Sequence, residues 1–231
     1  MQKQELDIDY FIAIQATYEG IDLALCKVNS LLEELFISKF DASRLALVVL
    51  EQLLHNQGIT LAGTKFIVVN RGPGPFTTLR TVLATVNGLA FATGIPLVGV
   101  DGIVTLANAY QKERGGIVVA LLNAFSQDVY YAIAQPNAAG EVGCKNGLAL
   151  MQQLSVQFSD SAITFVGNGV QLVQESIGIS LGSHALIATP AHTASIEQIA
   201  AQGLQQWRGQ QNVGACLMPL YLKQHSAEPK S

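Results

Sequence analysis

The order of its strand-like and helix-like runs constrains this chain more than any single motif, because the same order occurs twice. Tyr10–Thr17 (YFIAIQAT) and Ile21–Val28 (IDLALCKV) are apolar runs joined by the turn Tyr18-Glu19-Gly20. A third run, Leu31–Ile37, follows a turn at Asn29-Ser30, so the chain opens as a β-meander. A helix is predicted over Ala42–Asn56, with Asp41 as N-cap and Gly58 as its stop. The strand Lys65–Asn70, a helix over Phe76–Thr93, the strand Pro96–Val100 and a helix over Ile103–Lys112 complete the first block. Ile117–Asn123 and Asp128–Ala134 then restart the meander. A helix near Leu150–Val156, the strand Ala162–Val166 and a helix at Val170–Glu175 opened by Gly167-Asn168-Gly169 follow. A strand near Ala185–Ala188 and a helix over Ala194–Trp207 close the second block. Two β-then-α blocks of about 100 residues each predict an α/β protein of two lobes with a cleft between them. The expected boundary divides residues 1–104 from 105–231, with a last segment that can pack back on lobe one and a flexible tail at 224–231.

Composition excludes several classes of function. Charged residues make up only 13% of the chain and apolar residues 49%, so part of the apolar surface is expected to be covered by a partner. No apolar run reaches the roughly 20 residues that span a bilayer. The opening MQKQELDIDY lacks the basic-then-apolar order of a signal peptide. A net charge of −4 without a basic cluster argues against autonomous nucleic-acid binding. Cys26, Cys144 and Cys216 have no metal-like spacing and no even pairing. They read as reduced core thiols of a cytoplasmic protein.

The first predicted helix carries more apolar surface than one sheet can use. Leu45, Val49, Leu53, Ala46, Leu50, Leu54 and Leu47 fill an arc of about 200°, where packing on one sheet needs a stripe of about 100°. Either the helix is sandwiched within its own fold, or it packs its sheet on one side and another chain on the other. On the helix from Phe76, the side away from the apolar face is small or polar: Thr77, Thr81, Ala84 and Thr85, with Arg80. That side is either a solvated face or a surface another helix can approach closely.

Chemistry is hard to find. Among His55, His184, His192 and His225, no two share the i, i+4 spacing that would place both on one helical face, so no metal site is expected. No G-x-S-x-G occurs and no cysteine has a neighbouring His to act as its base, so no catalytic residue is assigned. Asp101 and Asp128 sit near strand ends, where caps and turns account for them. The stretch NRGPGPFTTLR, Asn70 to Arg80, joins a strand to a helix start and invites comparison with a phosphate loop. It is neither a Walker A motif nor G-x-G-x-x-G. Gly72, Gly74, Thr77 and Thr78 make a weak candidate anion site, with backbone N–H groups at Thr77, Thr78 and Leu79 available at the helix start. Pro73 and Pro75 each remove a donor from it.

Several segments together resemble one family. NRGPGPFTTLRTVLATVNGLAFATGIPLVGVDGI is similar to the central signature of the TsaB (YeaZ) family, in the glycoprotease-like branch of the actin/sugar-kinase/Hsp70 superfold. ALLNAFSQDVYYAIA, VGNGV and PLYLK follow in the order that family has, so the resemblance spans essentially the whole chain. It implies two ribonuclease-H-like lobes and a noncatalytic cytoplasmic subunit without cofactor. It implies as partners a TsaD-type transferase, which makes threonylcarbamoyladenosine in tRNA, and a TsaE-type ATPase. Self-pairing when alone, and contact with tRNA only indirectly, are implied too. The family's contact helices match the two N-lobe helices here. The resemblance therefore assigns Leu45, Ala46, Val49, Leu50, Leu53, Thr77, Arg80, Thr81 and Ala84 to a partner interface.

The departures all lie on the chemical side. Where the family ends its first strand in an acid, this chain has Gln15-Ala16-Thr17, and the Asp and Arg of the lobe-two hairpin become Asn123 and Phe125. The loop has Pro75 for Ser and Thr78 for Gly. Two enzyme readings stand as alternatives: a glycoprotease-like metallopeptidase, and an ATP-binding sugar-kinase-like enzyme. The first needs a metal or an activated nucleophile, and the second needs the acid that Gln15 has replaced.

Overall fold

The computed structural model describes residues 10–28, 30–138, 140–188 and 192–223. Asn29, His225 and the 224–231 tail therefore lie outside the described residues. The first half of the chain forms β1 (Phe11–Ala16), β2 (Gly20–Lys27), β3 (Ser30–Ser38), α1 (Ala42–Asn56), β4 (Ile67–Asn70), α2 (Phe76–Thr93) and β5 (Leu97–Val100). After α3 (Gly102–Arg114) come β6 (Ile117–Asn123), β7 (Asp128–Ala134), β8 (Glu141–Asn146), α4 (Gly147–Gln157), β9 (Ile163–Val166), α5 (Val170–Leu181) and β10 (Ala185–Ile187). The chain ends with α6 (Ile196–Arg208) and the short β11 (Val213–Gly214).

These elements pack as two α/β units, each a mixed sheet flanked by helices. The first unit runs to Val100 and takes up Ile196–Pro219; the second holds Asp101–Ser195 and resumes at Leu220. The sheet orders are β11-β5-β4-β1-β2-β3 and β10-β9-β6-β7-β8. In each unit an antiparallel meander comes first, and a later strand then inserts parallel to the meander's first strand. Numbered within its own unit, the order is 3-2-1-4-5 both times, the ribonuclease-H-like arrangement, with β11 added outside β5 in the first.

In the first unit β1 and β4 are buried on both faces, which explains their unbroken apolar runs. One face packs Ile12, Ile14, Leu23 and Leu25 against Leu50 and Leu53 of α1 and Leu79, Val82 and Val86 of α2. The other face receives α6, which packs on β1, β4 and β5. There Trp207 stacks on Phe66 at 4.5 Å and Phe66 on Phe11 at 4.8 Å. Beyond β11 the chain crosses to α2, where Asn87 exchanges two 2.9 Å hydrogen bonds with the backbone of Leu217. The second unit packs Val119, Leu121, Ile163 and Phe165 against α4 and α5. No helix among the described residues is long and apolar enough to cross a membrane.

Four sequence expectations need correction. Asp41 makes no side-chain cap; its carboxylate accepts from the Arg44 guanidinium at 2.6 Å, and its backbone oxygen accepts the Leu45 N–H. Helix α5 runs on to Leu181, since nothing in IGISL breaks it before Gly182. Strands β8 and β11 were not expected: β8 is an exposed edge strand without apolar alternation, and β11 has two residues. Of the three cysteines only Cys26 is buried, while Cys144 is half-buried and Cys216 exposed.

Helix α6 reaches the sheet through a glycine. A Cβ on Gly203 would stand 2.3 Å from the Val68 side chain. Gly203→Ala is expected to lose about 1–3 kcal/mol by overpacking, read from urea unfolding. Val68→Ala, which opens the same space, should recover part of that loss in the double variant.

Candidate functional site

In open α/β sheets, ligands gather beyond the carboxyl ends of parallel strands. In the first unit β1 and β4 are such a pair, and an amide network occupies their ends. Gln15, 2% exposed, donates its Nε2 to Oδ2 of Asp22 at 2.9 Å, its register partner on β2. Asn70 at the end of β4 donates its Nδ2 to Gln15 Oε1 at 3.4 Å. The Asn70 Oδ1 accepts the Gly72 N–H at 2.9 Å, holding the loop that follows. Gly72 has φ +112°, a backbone that requires glycine. The acid that this superfold places at the end of strand one is thus an amide, and the nearby carboxylate belongs to β2.

The loop that looked like an anion cradle has committed much of its backbone. Arg71 gives its N–H to Val100 and Gly72 to Asn70, while Pro73 and Pro75 have none. Leu79, one of the three donors expected at the helix start, bonds to the Pro75 carbonyl. Gly72 and Thr78 are buried, Gly74 is half-buried and only Thr77 is exposed. The tightness of this loop follows from its own sequence, and it launches α2 directly from Pro75.

The second unit repeats the arrangement at the ends of its parallel pair β6 and β9. Asn168, just beyond β9, accepts the Asn123 N–H at 2.9 Å, and Asn123 Oδ1 accepts the Phe125 N–H at 2.8 Å. The hairpin that follows holds Phe125, Ser126 and Gln127 at positive φ. Lys223, from the PLYLK stretch, clamps it by donating to the Ala124 carbonyl at 3.0 Å and pairing with Asp128 at 2.9 Å. Sequence reasoning noted that stretch without assigning it this role, and no local signal predicts a contact 99 residues distant. Among the described residues no group of three or more His, Cys, Asp or Glu is placed to hold a metal ion.

The interface residues assigned from sequence separate into two sets. Ala46, Leu50 and Leu53 are core residues under α1, with Leu53 fully buried. Leu45 and Val49 are half-buried at its flank. The outward apolar residues are Leu47 and Val48, 54% and 56% exposed. Leu47 also lines a cavity of about 400 Å³ between α1 and α2, with Leu54, Ile59, Leu61 and Leu89. On α2, Thr77, Arg80 and Ala84 are exposed and Thr81 is half-buried. The Arg80 guanidinium lies 3.6 Å over the Phe76 ring. Helical periodicity gave the width of the apolar arc but not which edge of it the sheet would take.

Fold and site together define a two-lobed ribonuclease-H-like protein in which amides stand at the strand ends where the superfold carries acids. A family model described as "TsaD: tRNA N6-adenosine threonylcarbamoyltransferase" matches residues 41–230. The chain belongs to this family, among its TsaB/YeaZ members. The Bacillus subtilis protein named tRNA threonylcarbamoyladenosine biosynthesis protein TsaB is 25% identical, covering 95% of this chain and 96% of that one. The Escherichia coli protein of the same name is 26% identical over 130 residues, so this chain aligns with only 56% of that relative's length. The solved structure of YeaZ from Pseudomonas aeruginosa superposes with a TM-score of 0.74 at 25% identity, covering 93% of this chain and all of that one.

Burial raises the Asp22 carboxyl above its ordinary value, and the hydrogen bond from Gln15 opposes part of the rise. A carboxyl whose native pKa exceeds its unfolded one stabilises the fold below the unfolded value. That contribution is lost as pH climbs through the native pKa. Asp22→Asn keeps an acceptor for Gln15 and removes the desolvated charge. It is expected to melt above the parent at about pH 7, with the difference shrinking toward about pH 4. Parallel thermal melts across that range check the sign.

Proposed function

We propose that this chain is a noncatalytic subunit in the biosynthesis of threonylcarbamoyladenosine in tRNA, where it binds and supports a TsaD-type transferase. The observation that carries the reading is the outward side of α1, which exposes Leu47 and Val48 while its inner side is filled by the sheet. Beside it α2 exposes the small residues Thr77, Ala84 and Gly88, which let another helix approach closely. An apolar ridge beside a small-residue groove is what a packed partner covers. On this reading Leu45, Leu47, Val48, Val49, Thr77, Arg80, Thr81 and Ala84 form the contact, and Ala46, Leu50 and Leu53 hold it from beneath. The names of the curated relatives support the pathway, and the TsaD description of the family supports the partner.

The amide networks support the noncatalytic part. Phosphoryl and metal chemistry use carboxylates at these strand ends, and Gln15 and Asn123 carry no charge to hold a metal–nucleotide complex. A TsaE-type ATPase joins the same assembly, the chain meets tRNA only through its partners, and two copies pair through the α1–α2 face when the transferase is absent.

Leu47→Asp and Val48→Asp each place a charge in this face. Each is expected to reduce recovery of the co-purified TsaD-type protein at least about tenfold, with an unchanged circular-dichroism spectrum. Leu53→Ala should instead cost about 2–5 kcal/mol of the chain's own stability. Recovery of the complex at parental level with both charged variants would overturn the interface, and turnover by the pure chain would overturn the noncatalytic role.

A further inference from the structure

The face of the first unit's sheet that receives α6 carries a groove of about 430 Å³ beside that helix, remote from the α1–α2 face and unused by the proposed function. Its size lies within the range of small-molecule sites. Phe11, Leu31 and Leu204 give it an apolar lining, and Cys26 adds a thiol. Desolvation by burial, with Glu197 and Glu34 nearby, pushes that thiol up to about 12, so the floor stays uncharged.

The charges around the groove are sorted by position. Trp207 stacks on Phe66 and Phe66 on Phe11, so the C-terminal end of α6, with Arg208, lies over the start of β1. Lys27 follows Cys26, the register partner of Phe11, and therefore stands at the same end. Neither Lys27 nor Arg208 is in an ion pair among the described residues. Ser30 and Gln205 add a hydroxyl and a carboxamide there. Glu197 lies eleven residues up α6 from Arg208, about 16 Å along the axis, with Glu34 acting on the same region.

We propose that this groove binds an amphiphilic organic mono-anion, its head between Lys27 and Arg208 and its apolar body along Phe11, Leu31 and Leu204. Charge complementarity chooses the occupant. Two cations at one end that are in no ion pair among the described residues favour an anionic head, since the Tyr10 ring, 5.5 Å from the Lys27 ammonium, leaves that charge unneutralised. The acids at the other end reject a second negative charge, so the site selects an anion charged at one end only.

Decanoate is the probe, titrated by calorimetry into the full chain and followed in parallel by the emission of Trp207, the only tryptophan. One saturable site is expected, with acetate and decylammonium at least about tenfold weaker and decanedioate weaker than decanoate. Lys27→Ala and Arg208→Ala should each weaken decanoate by about three- to tenfold, since both side chains are solvent-exposed. Glu197→Gln should narrow the gap between decanedioate and decanoate. Ala201→Phe, at an exposed position on the rim, should fill the groove and abolish binding. Decanoate binding no tighter than acetate, decylammonium binding as well as decanoate, or indifference to both cation variants would each overturn the site.

Discussion

The parallel pairing of β1 with β4 is the contact on which the first unit depends. Ile12, Ala13 and Ile14 lie in register with Ile67, Val68 and Val69, all buried, with both faces of the sheet covered. That pairing joins the meander to the crossover strands and leaves a two-sided centre that no single helix can cover. Helices α1 and α2 take one face, and α6 must return across the second unit's sequence to take the other. Full burial of each Val or Ile contributes about 1.5–3 kcal/mol, so this central layer carries much of the unit's cohesion. The same pairing brings the ends of β1 and β4 together and so creates the place where Gln15 meets Asn70.

The layering also divides the surface of α1. A helix on one face of a sheet can turn only part of a wide apolar arc inward. Here the inward part is Ala42, Ala46, Leu50, Leu53 and Leu54, and the remainder reaches solvent at Leu47 and Val48. Part of the excess apolar surface that composition pointed to thus lies on one helix edge, beside small residues of α2. Arg80 remains there with its guanidinium stacked on Phe76, a cation with an apolar companion.

Much of this architecture was legible because strands buried on both faces write unbroken apolar runs, and helices punctuated by Gly write their own ends. Gly94 follows α2 at φ +74°, as a helix stop requires. What was illegible depended on distant partners. Strand β8 carries Gly143 and Lys145 at an edge, where no core imposes alternation, and β11 exists only because β5 lies beside it. Asp41 has the residue type of an N-cap, but Arg44 three residues on competes for its carboxylate and takes it. At the site, the loss of the acid at Gln15 was readable, while its bond to Asp22 awaited the register of β1 on β2. The division of the α1 residues between core and surface likewise required knowing which edge the sheet would claim.

Gln15 and Asp22 are one unit rather than two separate departures. They face each other in register, and Asp22 is substantially withdrawn from water, which raises its carboxyl. A carboxylate at position 15 would set two like charges across adjacent strands at hydrogen-bond distance, and one would have to take up a proton. A carboxamide instead donates to Asp22 through its nitrogen and accepts from Asn70 through its oxygen, satisfying both ends at once. Restoring the acid at position 15 alone would therefore break two bonds and oppose a buried charge before it could bind anything. With the acid on β2, the amide is the side chain that fits position 15, and replacing it alone by an acid is unfavourable. The loop after β4 is bound into the same arrangement through Asn70 and Gly72, so one set of side-chain hydrogen bonds ties β1, β2 and β4 to that loop.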